Sequence, residues 1–505
     1  MINIEENLPL FNDTKKVISF LKTTLGPRGM DKLLISKSGE IKVTNDGATI
    51  LKNITSNSVV KNILCDLTNA HDNEIGDGTT SICCFVGELI EEAEKLIQIQ
   101  VHPQIIIKGY RLAAREALSI LNLEYFDHSL DARLFCEDLL NMARTTLCSK
   151  VVYPVREHFA RLAVEAVLKL KGSTDINHIK IMKKFGGTLR DSFIEDGLIL
   201  ESKIGTSQPK RIENARILIA NTSLDSDKVK IYGTRIKVSA LSKLAKIEIA
   251  DQKRVLDKCK KIISHKINVF VNRQLIYNRQ ESFLTNHGII SIEHADFEGT
   301  EHLALVTGAE IVSTFDEPSK VKIGHCKIVE EIIVGDETMV RFGGCSSANA
   351  CTLVLRGSNQ QLLDEAERSI HDTLCVLSQS IRDPRFVWGG GSLDTRLSLL
   401  LEKFSKNFLG KISLAILAFS RAIQNLPKII LENAELDSTD IITQLRMKHE
   451  KNEAKACIDI KNESVSNADR LGLIELSRLK SQMIISAVET AEMILRVDKV
   501  FFKSS

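Results

Sequence analysis

The segment Gly76-Asp77-Gly78-Thr79-Thr80-Ser81 gathers several reactive groups into six residues. Its two glycines free the backbone to approach a ligand. Its three hydroxyls fall on the first turn of a following helix, where unpaired N–H groups attract anions. Asp77 would repel a phosphate unless a cation lay between them, so the set reads as a phosphate site with Mg²⁺ on Asp77. An aspartate that merely caps a helix after a tight turn also fits these residues. Asp46 lies in Asn45-Asp46-Gly47, between a predicted strand and helix, where turn chemistry alone favours such residues. Asp372 stands inside a predicted helix, where aspartate is locally unfavourable, although a solvated face would accept it. Phosphoryl transfer to water needs a carboxylate to orient the nucleophile and Mg²⁺ to neutralise the γ-phosphate. Asp372 and Asp46 could meet the first need and Asp77 the second, but spacing does not say whether the three meet.

Two more glycine turns precede helices, Leu25-Gly26-Pro27 and Gly389-Gly390-Gly391. The chain has no GxxxxGK[ST], GxGxxG, HExxH or GxSxG, which removes the P-loop, Rossmann, zincin and serine-hydrolase readings.

The elements that must position these turns are mostly helical at both ends. A helix over Phe11–Lys22 precedes a predicted hairpin, Lys32–Ser36 with Glu40–Thr44 around Ser38-Gly39. Amphipathic segments follow at Ala48–Ile54, Val59–His71, Thr79–Gln98, Pro103–Leu121 and Asp131–Leu170. Near Thr174 the character changes. Short strands at His178–Met182, Ile217–Asn221, Val269–Asn272, Ile289–Ile292 and Lys320–Ile333 alternate with helices, among them a basic stretch, Ser242–Lys266, that reads as a solvated face or a partner surface. After a strand at Cys351–Arg356, helices return over Gln360–Ser380, Ser392–Phe408, Leu414–Gln424, Lys428–Lys448 and Asn467–Val497. A mixed middle between helical ends implies that the ends build one domain and the middle is inserted.

Length and composition are consistent with that. The 505 residues suit about three domains. Basic and acidic residues number 67 and 65, a balance that argues against a nucleic-acid binder and gives no reason to expect a membrane surface. No apolar run reaches the roughly 18 residues of a membrane span, and Glu5 and Glu6 do not suit a secretory signal. The 11 cysteines show no zinc spacing and read as reduced thiols.

Taken together, Leu25-Gly26-Pro27-Arg28-Gly29-Met30-Asp31, Val43-Thr44-Asn45-Asp46-Gly47-Ala48-Thr49, Gly76-Asp77-Gly78-Thr79-Thr80 and Gly389-Gly390-Gly391 resemble the signatures of group II chaperonins. Segments of the middle, such as Ile292-Glu293-His294-Ala295-Asp296-Phe297, resemble one subunit type of the eukaryotic cytosolic chaperonin (TRiC/CCT). The resemblance covers essentially the whole chain and implies a multidomain α+β chaperonin fold. A mainly helical equatorial ATPase domain would comprise 1–141 and 386–505. An intermediate domain would comprise 142–209 and 358–385. An α/β apical substrate-binding domain would occupy 210–357, with a lid protrusion near 230–252.

The resemblance also implies ATP and Mg²⁺ as cofactors. It assigns Asp77 to the metal, and Leu25, Gly26, Pro27, Gly78, Thr79, Thr80 and Ser81 to the phosphates. Lys150 would sense the γ-phosphate, and Gly390, Glu475 and Lys480 would surround ribose and adenine. Asp372 would activate the attacking water, assisted by Asp46, after domain closure carried it to the nucleotide. Asp394 stands where the family usually has Glu, which puts an inter-ring or hinge contact in doubt. The implied protein is a cytoplasmic ATPase subunit of a hetero-oligomeric double ring. It would fold unfolded clients such as actin and tubulin among paralogous chaperonin subunits, with no role for nucleic acid or membrane. A non-hydrolysing scaffold subunit is the competing expectation.

Overall fold

The computed structural model describes residues 4–36, 39, 41–54, 58–170, 174–205, 207–224, 241–318, 320–345 and 351–497. The chain divides into two compact units, 1–164 with 359–505, and 165–358. The first is therefore assembled from both ends of the chain.

The core of the first unit forms around two apolar helices, Thr79–Gln98 and Lys411–Asn433. Ile82, Phe85, Val86, Leu89 and Ile90 of the former are fully buried. Phe419 of the latter sets its ring edge-on to Phe85 and to Tyr110, each with centroids 5.7 Å apart. Close approach is secured by Gly109 in the helix Pro103–Leu121, where a Cβ would overlap Ala415. The helix Ser477–Arg496 completes the cluster through Met483, Ile484, Ala487 and Ala491.

Several sequence expectations need correction here. Lys411–Asn433 is one helix that runs through Pro427, not two helices parted there. Proline removes one backbone hydrogen bond. The buried flanks Leu426 and Ile429 and the packing of Pro427 against Gly391 hold the helix together nonetheless. This helix is also long and apolar enough to cross a membrane by length and composition, contrary to the expectation that no segment is; most of its apolar stretch is buried in the core. The stretch Asp131–Leu170 is interrupted: Ala132–Leu147 ends, a 3₁₀ turn follows at Tyr153–Val155, and Arg156–Lys169 resumes. Asn467–Val497 is not one helix either. A short helix, Ala468–Leu471, leads into the strand Ile474–Leu476, which pairs antiparallel with Phe386–Trp388. These three-residue strands are too short to leave a period-2 signal.

The hairpin has strands Lys32–Ile35 and Ile41–Thr44, in register from Lys32↔Thr44 to Ile35↔Ile41, and it delivers Asn45-Asp46-Gly47.

In the second unit a seven-stranded mixed sheet runs in the order Leu198–Leu200, Glu337–Cys345, Gly324–Val334, Arg211–Ala220, Val269–Asn272, Ile290–Ile292, with Ile311–Val312 beside Arg211–Ala220. A smaller sheet places Cys351–Gly357 between Ile179–Phe185 and Phe193–Asp196. The helices Asn278–Thr285 and Phe297–Thr307 accompany the large sheet, and Phe297 and Leu305 are exposed. Of the expected lid near 230–252, residues 230–240 lie outside the described residues; the rest opens the helix Leu241–Ser264, in which Lys253, Arg254, Lys260 and Lys261 are exposed.

Phe419→Ala should lower the stability of the first unit by roughly 3–5 kcal/mol, the usual cost of truncating a buried phenylalanine. A denaturant midpoint equal to that of the wild type would show that the two helices do not depend on this ring.

Candidate functional site

Asp46 ends the hairpin and starts the helix Gly47–Asn53. Its carboxylate accepts from Ala48 N at 3.2 Å, Thr49 N at 3.0 Å and Thr49 Oγ1 at 2.7 Å. A fourth bond comes from Thr79 Oγ1, at 2.9 Å, so Asp46 caps one helix while holding the first residue of another. The Thr79 hydroxyl, expected to face phosphate, is therefore committed to Asp46. Gly47 allows this contact, since a Cβ there would press on the Thr80 backbone at 3.0 Å.

The break in the chain after Leu147 brings Lys150 to the same place. Asn45 Nδ2 donates to Ser149 O at 2.7 Å, tying that break to the hairpin turn. Lys150 Nζ then donates to Asp372 Oδ2 at 2.5 Å, joining residues 222 apart in sequence. Asp372 was expected to sit away from the turns until closure. It lies instead within the same compact unit, buried and paired. The helix Gln360–Arg382 that carries it is pinned at three further points. Arg368 Nη1 donates to Thr44 Oγ1 at 2.9 Å, and Gln379 Nε2 donates to Glu74 O at 3.0 Å. Between them, Cys375 packs so tightly on Gly76 (φ +85°) that any Cβ would overlap it.

One buried lysine thus serves several carboxylates. Burial pushes the Asp372 carboxyl up to about 7; Lys150 opposes this, and the negative charges of Asp77 and Asp46 add to it. Burial works against the Lys150 ammonium, but Asp372, Asp77 and Asp46 outweigh it and keep it charged. Asp46 ends below its ordinary value: burial raises it, and Lys150 with the Thr49 and Thr79 bonds more than compensates. Glu365 is buried on the same face two turns before Asp372, and burial raises its pKa against the pull of Arg368. The sequence reading missed Glu365, although its i, i+7 spacing from Asp372 was a usable signal.

A cavity of about 250 Å³ opens beside this cluster. Leu25, Gly26, Pro27, Asp77, Gly78 and Ser81 line it together with Gly390, Glu475 and Lys480. A smaller adjoining pocket adds Asp46, Thr79, Thr80 and Lys150. Asn433 Nδ2 fixes the first turn by donating to Lys22 O and Leu25 O at 2.7 and 2.8 Å. Lys480 Nζ meets both Asp394 oxygens at 3.1 Å and Glu475 Oε2 at 3.0 Å. Burial disfavours that ammonium, but the two carboxylates hold its pKa above the usual lysine value. Asp394 therefore belongs to the wall of this cavity, where it pairs with Lys480.

The cavity suits a polyphosphate nucleotide. The helix Thr79–Gln98 begins at Gly78 (φ +84°) with no side-chain cap, leaving its first N–H groups for an anion. Among the described residues no group of three His, Cys, Asp or Glu could hold a metal unaided. Asp77 as a single carboxylate fits Mg²⁺, which ordinarily takes its remaining oxygens from phosphate and water.

The model of the TCP-1/cpn60 chaperonin family matches residues 17–504. The chain belongs to this family. The chaperonin is 49% identical to T-complex protein 1 subunit beta of Dictyostelium discoideum, over 96% of this chain and 91% of that one. It is 50% identical to the subunit of the same name from Saccharomyces cerevisiae, over 95% and 92%, and 47% identical to that of Homo sapiens, over 95% and 90%. The agreement extends through the middle region, where the resemblance to one subunit type was drawn.

The Asp372 carboxyl has a folded pKa above its unfolded value of 3.8. The fold therefore holds that proton more tightly, and its contribution to stability is full below the unfolded pKa and lost as pH rises through about 7. Asp372→Asn, which cannot ionise, should gain thermal stability relative to wild type as pH rises from about 4 to about 7. A stability difference that is flat with pH would contradict this assignment.

Proposed function

We propose that this chaperonin is an ATP-hydrolysing subunit of a hetero-oligomeric double ring that encloses and folds non-native proteins. The observation that carries the reading is the buried Lys150–Asp372 pair beside Asp46 and the uncapped start of the helix Thr79–Gln98. Phosphates would lie against the turns at Leu25-Gly26-Pro27 and Gly78 to Ser81, and the nucleoside against Gly390, Glu475 and Lys480. Asp77 would hold Mg²⁺, which neutralises developing negative charge when bound.

Lys150 would exchange Asp372 for the γ-phosphate, leaving the carboxylate free to orient water. A carboxyl poised near 7 is well matched to accept a proton at physiological pH. Asp46 assists mainly by position, since both its oxygens are already hydrogen-bonded. Because Lys150 and Asp372 come from distant parts of the chain, nucleotide binding at one is felt at the other, and this would couple hydrolysis to chamber closure.

The relatives' names speak of a subunit, which supports an assembly with paralogous chains. Unfolded clients, actin and tubulin among them, a cytoplasmic setting, and the three-domain division with seams near 141, 209, 357 and 385 are parts of the same proposal. A non-hydrolysing scaffold is the weaker reading, because Asp46, Asp77 and Asp372 around one lysine would be a costly arrangement with no task.

In the assembled particle Asp372→Ala should retain ATP binding and lose turnover by roughly 10²–10⁴-fold, the span expected for a positioned base. Turnover at the wild-type level would remove Asp372 from the mechanism. Asp77→Ala should weaken nucleotide binding in Mg²⁺ while changing it little in EDTA; equal losses in both would deny Asp77 a metal role.

A further inference from the structure

Outside the nucleotide cavity, two thiols in the second unit face one another. Cys326 lies on the strand Gly324–Val334, and Cys345 ends the antiparallel strand Glu337–Cys345. The register places them directly opposite, with Ile328↔Gly343 as the next recorded pair. Facing residues in an antiparallel ladder stand about 4.5–5.5 Å apart at Cα. A disulfide spans about 4.4–6.8 Å, so the backbone need not move to accept one. Both side chains enter the same apolar cluster as Val329, Val340 and Phe342, which puts them on one side of the sheet.

Their surroundings differ in a way that matters for reactivity. Cys326 is 5% exposed, and its Sγ also approaches Ile328 O at 3.5 Å. Cys345 is half-buried at the strand end. The Cys326 thiol donates to Ile328 O and the Cys345 thiol to Phe342 O at 3.6 Å, and the mutual influence of the facing sulfurs raises the Cys326 pKa and lowers the Cys345 pKa. Cys83, Cys84 and Cys351 offer the contrast: each is buried, and burial pushes its thiol well above the ordinary value. Reactive cysteines are partly exposed and thiolate-prone, and inert ones are buried in apolar surroundings.

We propose that Cys326 and Cys345 form a peroxide-responsive dithiol, with Cys345 the attacking sulfur and Cys326 the resolving one. The Cys345 thiolate attacks one oxygen of hydrogen peroxide; an S–O bond forms, the O–O bond breaks, and hydroxide leaves. Cys326 sulfur then attacks the resulting sulfenic acid. The S–S bond forms, the S–O bond breaks, and the departing hydroxide takes the Cys326 proton to become water. In sum two thiols are oxidised to one disulfide and one peroxide is reduced to two waters. Cytosolic disulfides of this sort are transient and reductant-reversible. The product would staple the strand pair at the end far from its turn at Gly335, cross-linking the sheet just before the chain continues toward Cys351.

The test exposes the purified full chain to low hydrogen peroxide, counts thiols and maps peptides by mass spectrometry with and without dithiothreitol. Two of the 11 thiols should disappear, a peptide joining Cys326 to Cys345 should appear, and dithiothreitol should restore both. Cys326→Ser should stop the cross-link and leave sulfenic acid on Cys345, trappable by dimedone. Cys345→Ser, at the less buried position, should leave Cys326 unreactive. The proposal fails if all thiols survive, if other cysteines are oxidised first, or if Cys345 proceeds to sulfinic acid with Cys326 present.

Discussion

A single buried ammonium, that of Lys150, organises the candidate site of this chaperonin. Asp372 touches it, and the charges of Asp46 and Asp77 reach it. Without that cation the buried Asp372 carboxylate would have no counter-charge. That requirement reaches far along the chain. It needs a helix to stop at Leu147 so that Lys150 can turn inward, a hairpin to present Asp46, and a helix from the far end of the sequence to deliver Asp372. The asymmetry between making and breaking such a pair matters more than its net worth: losing one partner leaves the other's charge buried and unmatched.

The helical core supplies the frame for that meeting. Thr79–Gln98 and Lys411–Asn433 pack through Phe85, Phe419 and the Gly109 contact, and most of the helix that begins at the Gly78 turn is buried. A turn mounted on such a helix has little freedom to drift. The second unit is built differently, on a mixed sheet with glycine turns. At Gly197 (φ +104°) the chain passes so close to Phe342 O that no side chain fits.

The turns were legible because their chemistry is local. Asn45-Asp46-Gly47 and Asp77-Gly78-Thr79 carry conformational demands that only a few residue types meet, and helices such as Pro103–Leu121 show a full apolar period. What escaped was whatever depends on partners distant in sequence. The strands Phe386–Trp388 and Ile474–Leu476 are extended only because each has the other, and neither has length enough for a pattern. Pro427 reads as a helix break, yet burial on both sides overrides it. The Asp394–Lys480 pair joins residues 86 apart, and nothing near either of them forecasts the other. The immediate contact of Lys150 with Asp372 was hidden for the same reason.

Asp46 is at once a helix cap, a tether for Thr79 and a neighbour of the Lys150–Asp372 pair. Its four hydrogen bonds make it a point of pleiotropy. A survey of tolerated substitutions would score it as intolerant, and the score would mix three separate failures. Asn at this position would keep a side-chain oxygen for capping and give up the charge, whereas Ser would shorten the reach to Thr79. The two replacements therefore separate folding from electrostatics at a residue where a simple deletion of the side chain would confound them.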